Sequence, residues 1–133
     1  MTGKIFRSIL LVAGTVLAAS LLVIMGCLYE YFGGVEQKQL RDELELASAA
    51  VEESGKEYLA QMSSDHYRLT WIAGDGTVLC DTVMDAESLE NHADREEVRQ
   101  ALQTGMGEST RYSATLLQKT IYSARRLSDG SVL

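Results

Sequence analysis

The polar and apolar positions of this chain divide it sharply near its start. From Ile9 it reads ILLVAGTVLAASLLVIMGCLY, and Ser8 to Tyr29 holds no charged residue. At a rise of about 1.5 Å per residue, such a stretch spans about 33 Å as a helix, against a bilayer hydrocarbon core of about 30 Å. Eleven positions from Ile9 to Leu28 are Leu, Ile or Val. They favour insertion by about 3–7 kcal/mol, offset in part by Gly, Ser and Thr. The pattern predicts a transmembrane helix over residues 8–32, with Tyr29, Tyr31 and Phe32 as its interfacial aromatic belt. A cleaved signal peptide would have a shorter apolar run and small residues at its end, whereas this run ends in LYEYF. Ile24-Met25-Gly26-Cys27 resembles a lipobox, but Met25 is atypical there and the apolar run continues past Cys27.

Beyond Gly33-Gly34, which predict a break, the period changes. Leu40, Leu44, Ala47, Val51 and Tyr58 recur at helical spacing among Glu, Gln, Lys and Arg, predicting an amphipathic helix over 35–62. A second row, Leu46, Ala50 and Leu59, lies on a neighbouring face. Two apolar faces predict two neighbours, the helix's own domain and a second copy in a parallel homodimer; the alternative is a single broad face packed on the domain alone.

The remainder, residues 63–133, alternates like a mixed domain. RLTWIA (68–73) and TVLCDT (77–82) read as strands around Gly74-Asp75-Gly76, a hairpin signal because Asp-Gly tolerates positive φ. Asp85 to His92 reads as a short helix or turn. Asp94 then caps the Glu97 N–H of a helix whose apolar face is Val98, Ala101 and Leu102, and Gly105 ends it. Strands follow over 108–116 and 120–127. Asp129-Gly130 is a second turn, and Ser131-Val132-Leu133 opens a strand that stops short. The fold class expected is α+β.

Charge sharpens the division. The formal net charge is −7, yet Lys4 and Arg7 precede the apolar run and every acidic residue lies at Glu30 or later. With those two set aside, ten basic residues face all nineteen acidic ones, a net −9. That surface repels phosphate backbones, so no nucleic acid is expected as partner. Basic residues flanking only the N-terminal side put residues 1–7 in the cytoplasm and everything after about residue 33 outside. Cys27 in the apolar run and Cys80 in a strand cannot meet across membrane geometry, so no disulfide joins them.

No catalytic grouping emerges. His66 and His92 lack companions at metal-ligand spacing, Gly105-Met106-Gly107 lacks the rest of a phosphate loop, and no Ser-His-Asp set is arranged as a triad. No metal and no cofactor are expected in this chain, which is not expected to be an enzyme by itself. Arg68, Trp71, Arg111 and Tyr122 are candidate ligand-lining residues between the sheet and the 94–104 helix. The plainer alternative makes Trp71 core and the two arginines surface ion-pair partners.

Four ordered stretches, RLTWIAGDGTVLCDT, LENHADREEVRQAL, GMGESTRYSATL and IYSARRLSDGSVL, together resemble the extracytoplasmic sensor region of PhoR-type sensor histidine kinases of Gram-positive bacteria. The resemblance covers about Arg68 to Leu133. Asp75, Gly76, Asn91, His92 and Arg95 carry its signature and are expected to be structural; Glu96 departs from a frequent proline. It implies a PAS-like domain: a five-stranded antiparallel sheet with helices on one side, its last strand central between the first and the fourth. It further implies a parent protein with a second membrane helix, a HAMP linker, phosphoacceptor-histidine helices and an ATP-binding domain. ATP, Mg and a cognate response regulator would belong to that part. The same module could instead feed a chemoreceptor or a cyclic-dinucleotide enzyme, and a lipid-anchored binding module at Cys27 is a further alternative.

Overall fold

The computed structural model describes residues 2–62, 67–113 and 118–133. Its elements are α1 (Thr2–Ser54), α2 (Lys56–Gln61), β1 (Thr70–Ile72), β2 (Val78–Asp81), a 3-10 turn at Ala86–Ser88, α3 (Glu96–Thr104), β3 (Met106–Ser113) and β4 (Gln118–Arg125). The class is α+β, as the patterning predicts. The chain forms two units, Met1–Lys38 and Gln39–Leu133.

The first unit is bare helix. From Ile9 to Met25 every Leu, Ile, Val and Met is more than half exposed, from 52% at Ile24 to 74% at Leu22. A soluble helix would bury such a surface. Its internal hydroxyls are satisfied within the helix: Thr15 Oγ1 donates to the Leu11 carbonyl at 2.5 Å and Ser20 Oγ to that of Leu17 at 2.9 Å. One long apolar helix capable of crossing a membrane is therefore present.

The expected break at Gly33-Gly34 does not occur, and α1 runs through it. Glycine weakens a helix by about 1 kcal/mol relative to alanine but leaves its hydrogen bonds intact, and the chain has no proline to remove one. The expected 35–62 helix is instead interrupted at Gly55, whose φ of 61° turns the chain before α2. That turn explains a second difference. Leu59, assigned to a separate apolar row, is buried with Leu44, Ala47 and Val51. Of that row only Leu46 stays fully open, 73% exposed, with Asp42, Glu45, Ala49 and Glu53 exposed around it.

β1 and β2 pair antiparallel around the Gly74–Gly76 turn, with a bulge between Trp71 and Ile72. β3 and β4 pair over eight residues, from Met106 opposite Arg125 to Ser113 opposite Gln118. Both hairpins begin or end within two residues of expectation, although the stretch toward Leu116 lies outside the described residues. Ser131–Leu133 joins the hairpins. Val132 exchanges hydrogen bonds with Ile72 at 2.8 and 2.7 Å, and Leu133 with Arg125 at 2.8 and 2.9 Å. The buried terminal segment thus lies between the first and fourth strands, where the resemblance places it.

Neighbouring strand residues point to opposite faces, and the core follows this rule. Trp71 and Leu133 pack with Leu44, Ala47 and Val51 of α1, whereas Ile72 and Val132 pack with Val98 and Ala101 of α3. Helices therefore cover both faces rather than the one side expected. The amphipathic stripe of α1 has apolar strand residues to cover, and α3 takes the other face. On the α1 face Arg41 Nε donates to Glu108 at 3.0 Å, Arg125 pairs with Glu45 at 3.4 Å, and Glu52 accepts the Ser128 N–H at 2.6 Å.

α3 starts at Glu96, with Arg95 at the cap position and no side-chain cap, so Asp94 does not play the capping role expected of it. The first-turn acids Glu96 and Glu97 complement the helix dipole instead. Gly105 ends α3 in the left-handed conformation, as expected, with its N–H on the Ala101 carbonyl at 2.8 Å.

Candidate functional site

The four candidate lining residues do not form one site. Arg68 Nε donates to both carboxylate oxygens of Asp81, at 2.8 and 3.0 Å. Asp81, whose side chain is fully buried, also accepts Thr70 Oγ1 at 2.6 Å and the N–H groups of Val83 and Met84 at 2.9 Å. Burial pushes its carboxyl upward, but the donors from Thr70, the Met84 and Val83 amides and Arg68 outweigh it and hold it below the usual carboxylate value. Trp71 packs on the α1 face, and its Nε1 donates to Ser131 Oγ at 2.8 Å. The plainer reading describes both residues: one ion-pair partner and one core aromatic.

Arg111 and Tyr122 do come together, on the α3 face. Register sets Ser109 opposite Tyr122 and Arg111 opposite Thr120, so these four share one side of the β3–β4 hairpin. The guanidinium lies 4.3 Å above the Tyr122 ring centre, a cation–π contact. Arg111 Nη2 donates to Glu97 Oε1 at 2.7 Å, and Ser109 Oγ donates to Glu97 Oε2 at 2.6 Å. Glu97 is buried, which raises its affinity for a proton. Ser109, its own backbone N–H and Arg111 together overcome that and keep it ionised. Gly107 makes the arrangement possible, since a Cβ there would lie 1.9 Å from the Glu97 carbonyl oxygen. The backbones of β3 and α3 touch at that point.

Sequence reading missed Glu97 and Ser109 as partners. Ser109 was legible, two residues before Arg111 in a strand and hence on the same face. Glu97 was hidden because its position three after Asp94 suggested only a capped amide.

Chemically, a carboxylate this well satisfied is a poor base. Arg111 keeps 40% of its side chain exposed, so part of its guanidinium is open to solvent. We expect Arg111→Met to destabilise the domain by about 1–2 kcal/mol at pH 7, the low end for a charged hydrogen bond because the guanidinium is partly solvated. Glu97 contributes stability above its ordinary range near pH 4.3, and that contribution is lost as pH falls through its lower folded value. The difference between wild type and variant therefore shrinks toward pH 4. Urea unfolding at both pH values, followed by Trp71 fluorescence, measures it.

The signature residues form a separate clasp. Asn91 Nδ2 donates to the Asp75 carbonyl at 3.0 Å, the His92 N–H to the Gly76 carbonyl at 2.8 Å, and the Ala93 N–H to Asn91 Oδ1 at 2.8 Å. Asp75 Oδ1 accepts the Thr77 N–H at 2.9 Å, closing the turn. Gly76 has φ of 89°, and a Cβ there would lie 2.3 Å from Asn91 Oδ1 and 2.5 Å from Ala93. The Arg95 N–H returns to the His92 carbonyl at 3.1 Å and leads the loop into α3. Among the described residues, no three His, Cys, Asp or Glu side chains gather as metal ligands would. His66 lies outside the described residues.

No family model, no curated protein and no solved structure matches this chain.

Proposed function

We propose that this chain is the signal-input portion of a membrane-bound sensor of the PhoR-type histidine kinase class. In this reading residues 8–32 cross the bilayer and the domain from Gln39 onward lies outside. The observation that carries it is that one helix, α1, supplies both the apolar segment and the core residues Leu44, Ala47 and Val51 of the α+β unit. The ordered motifs of residues 68–133 and the terminal segment between β1 and β4 support the same reading. Lys4 and Arg7 ahead of the span support the orientation.

Signalling then works through helix packing. A stimulus on the domain alters how Leu44, Ala47 and Val51 seat against Trp71, Leu127 and Leu133, and α1 moves relative to its mate in a homodimer. The exposed face beyond Gln39 sets Asp42, Glu45 and Glu53 around Leu46, so like charges oppose pairing there. The membrane span is the better contact between copies. A cytoplasmic kinase part would autophosphorylate with ATP and Mg and pass the phosphoryl group to a response regulator.

Reporter fusions test the topology. Alkaline phosphatase joined after Gly55 is expected to be active, and a fluorescent protein joined there dark; the reverse pattern removes the sensor reading. The coding region that follows tests the output. A second apolar span, a histidine-bearing helix and ATP-site motifs are expected, and an unrelated domain in their place would exclude the kinase.

A further inference from the structure

The clasp between the β1–β2 turn and the 89–95 loop holds a group that neither the fold nor the proposed signalling uses. His92 is 5% exposed, and its Nδ1 is buried without a hydrogen-bond partner. Its backbone anchors the loop: the N–H reaches Gly76 and the carbonyl receives the Arg95 N–H. Movement of this residue therefore affects both ends of the clasp, the hairpin turn on one side and the start of α3 on the other.

The leading charges that oppose a proton on the ring are two arginines. They are Arg95, from the loop itself, and Arg68, from the segment before β1. Of the carboxylates around the clasp, Asp81 of β2 is engaged with Arg68, Thr70 and two amides, and Asp75 of the turn with the Thr77 N–H, while Glu90 and Asp94 flank His92 within the loop itself. The carbonyls of Glu90 and Asn91 give the ring partial compensation. A proton on this imidazole would be a buried cation beside two arginines.

We propose that the 89–95 loop is an acid-released latch: protonation of His92 frees the loop from the β1–β2 turn and loosens the start of α3. Burial first, then Arg95, lowers the proton affinity of the closed state below that of a free histidine. The sign follows directly. The open loop binds the proton better, so the closed clasp is fully stable above about pH 6.5 and weakens as pH falls below it, by up to about tenfold in the opening equilibrium per pH unit until the closed form itself protonates. The latch rests on the clasp geometry and the buried ring beside the arginines, and stands or fails independently of the sensor reading.

Two measurements on the full chain in detergent micelles test it. With two histidines in the chain, imidazole NMR of wild type and of His66→Gln identifies the His92 signal. It is expected to titrate below 6.5, while amide exchange of residues 89–95, corrected for intrinsic rates, rises between pH 7.5 and 5.5, by at most about tenfold. Arg95→Gln should move the midpoint upward, and His92→Gln should remove the pH response. Titration of His92 at 6.5 or above overturns the proposal. So does loop protection that is equal at pH 7.5 and 5.5, or a pH response that persists in His92→Gln.

Discussion

Gly107→Ala is expected to destabilise the α+β unit by about 3 kcal/mol or more, the upper end for overpacking. The new methyl would lie 1.9 Å from the Glu97 carbonyl oxygen, 2.8 Å from the Glu97 carbonyl carbon and 2.9 Å from the Ala101 nitrogen. All three are helix backbone, so no side-chain rotation relieves the clash. α3 must lift from β3, and its displacement would open the Glu97–Ser109–Arg111 cluster and the packing of Val98 and Ala101 on Val132. Gly105→Ala is the matched control: its φ is 93°, but a Cβ there meets nothing within 4 Å, so strain alone operates, about 1 kcal/mol. Urea unfolding of the full chain in micelles, followed by the single tryptophan Trp71, compares the two. Equal losses would mean that α3 does not dock on β3 as described.

Leu17→Lys is expected to shift membrane insertion unfavourably by about 3–4 kcal/mol, the difference between a leucine and a lysine at the centre of a span. Leu17 lies near the middle of the charge-free run and is 62% exposed on bare helix, so no neighbouring residue of the chain can shelter the ammonium. The whole segment favours insertion by only about 3–7 kcal/mol from its branched aliphatics, so one lysine removes a large share. Carbonate extraction of expressed membranes is expected to release most of the variant and little of the wild type. Val35→Lys, beyond the aromatic belt, should behave as wild type. Retention of Leu17→Lys in the membrane pellet would show that this segment does not dwell in hydrocarbon.

Strand β3 and the RLTWIA stretch show how far residue patterns reach. The stretch from Ser109 to Arg111 fixes a shared face for two polar side chains, because strand periodicity is local and strict. What lies over that face is a tertiary matter. Arg111 meets Glu97 because α3 can approach β3 at Gly107, and nothing in the spacing of Glu97 along its own helix announces this contact. Trp71 makes the opposite case. Its place in RLTWIA gave the strand, but only the pairing of Val132 with Ile72 put it on the α1 side, away from Arg111.

Local chemistry explains why some expectations held and others shifted. Asp75-Gly76 and Asp129-Gly130 are turns because positive φ is available at glycine whatever the surroundings, and the observed angles of 89° and 85° agree. Gly33-Gly34 is the contrary example. The same residue type that turns the chain at Gly55 lies within α1 without interrupting it, because glycine permits the turn without requiring it.

The residues alone establish a long apolar helix, an amphipathic helical stretch behind it, two hairpins and an acidic domain, since hydropathy, period and turn chemistry act over a few neighbours. Three features emerged only in three dimensions: which strand face each helix covers, the burial of Leu59 with the α1 stripe, and the meeting of the Asn91–Arg95 loop with the Gly76 turn. Each depends on residues far apart in the chain competing for the same buried surface, and packing settles that competition after the local elements exist.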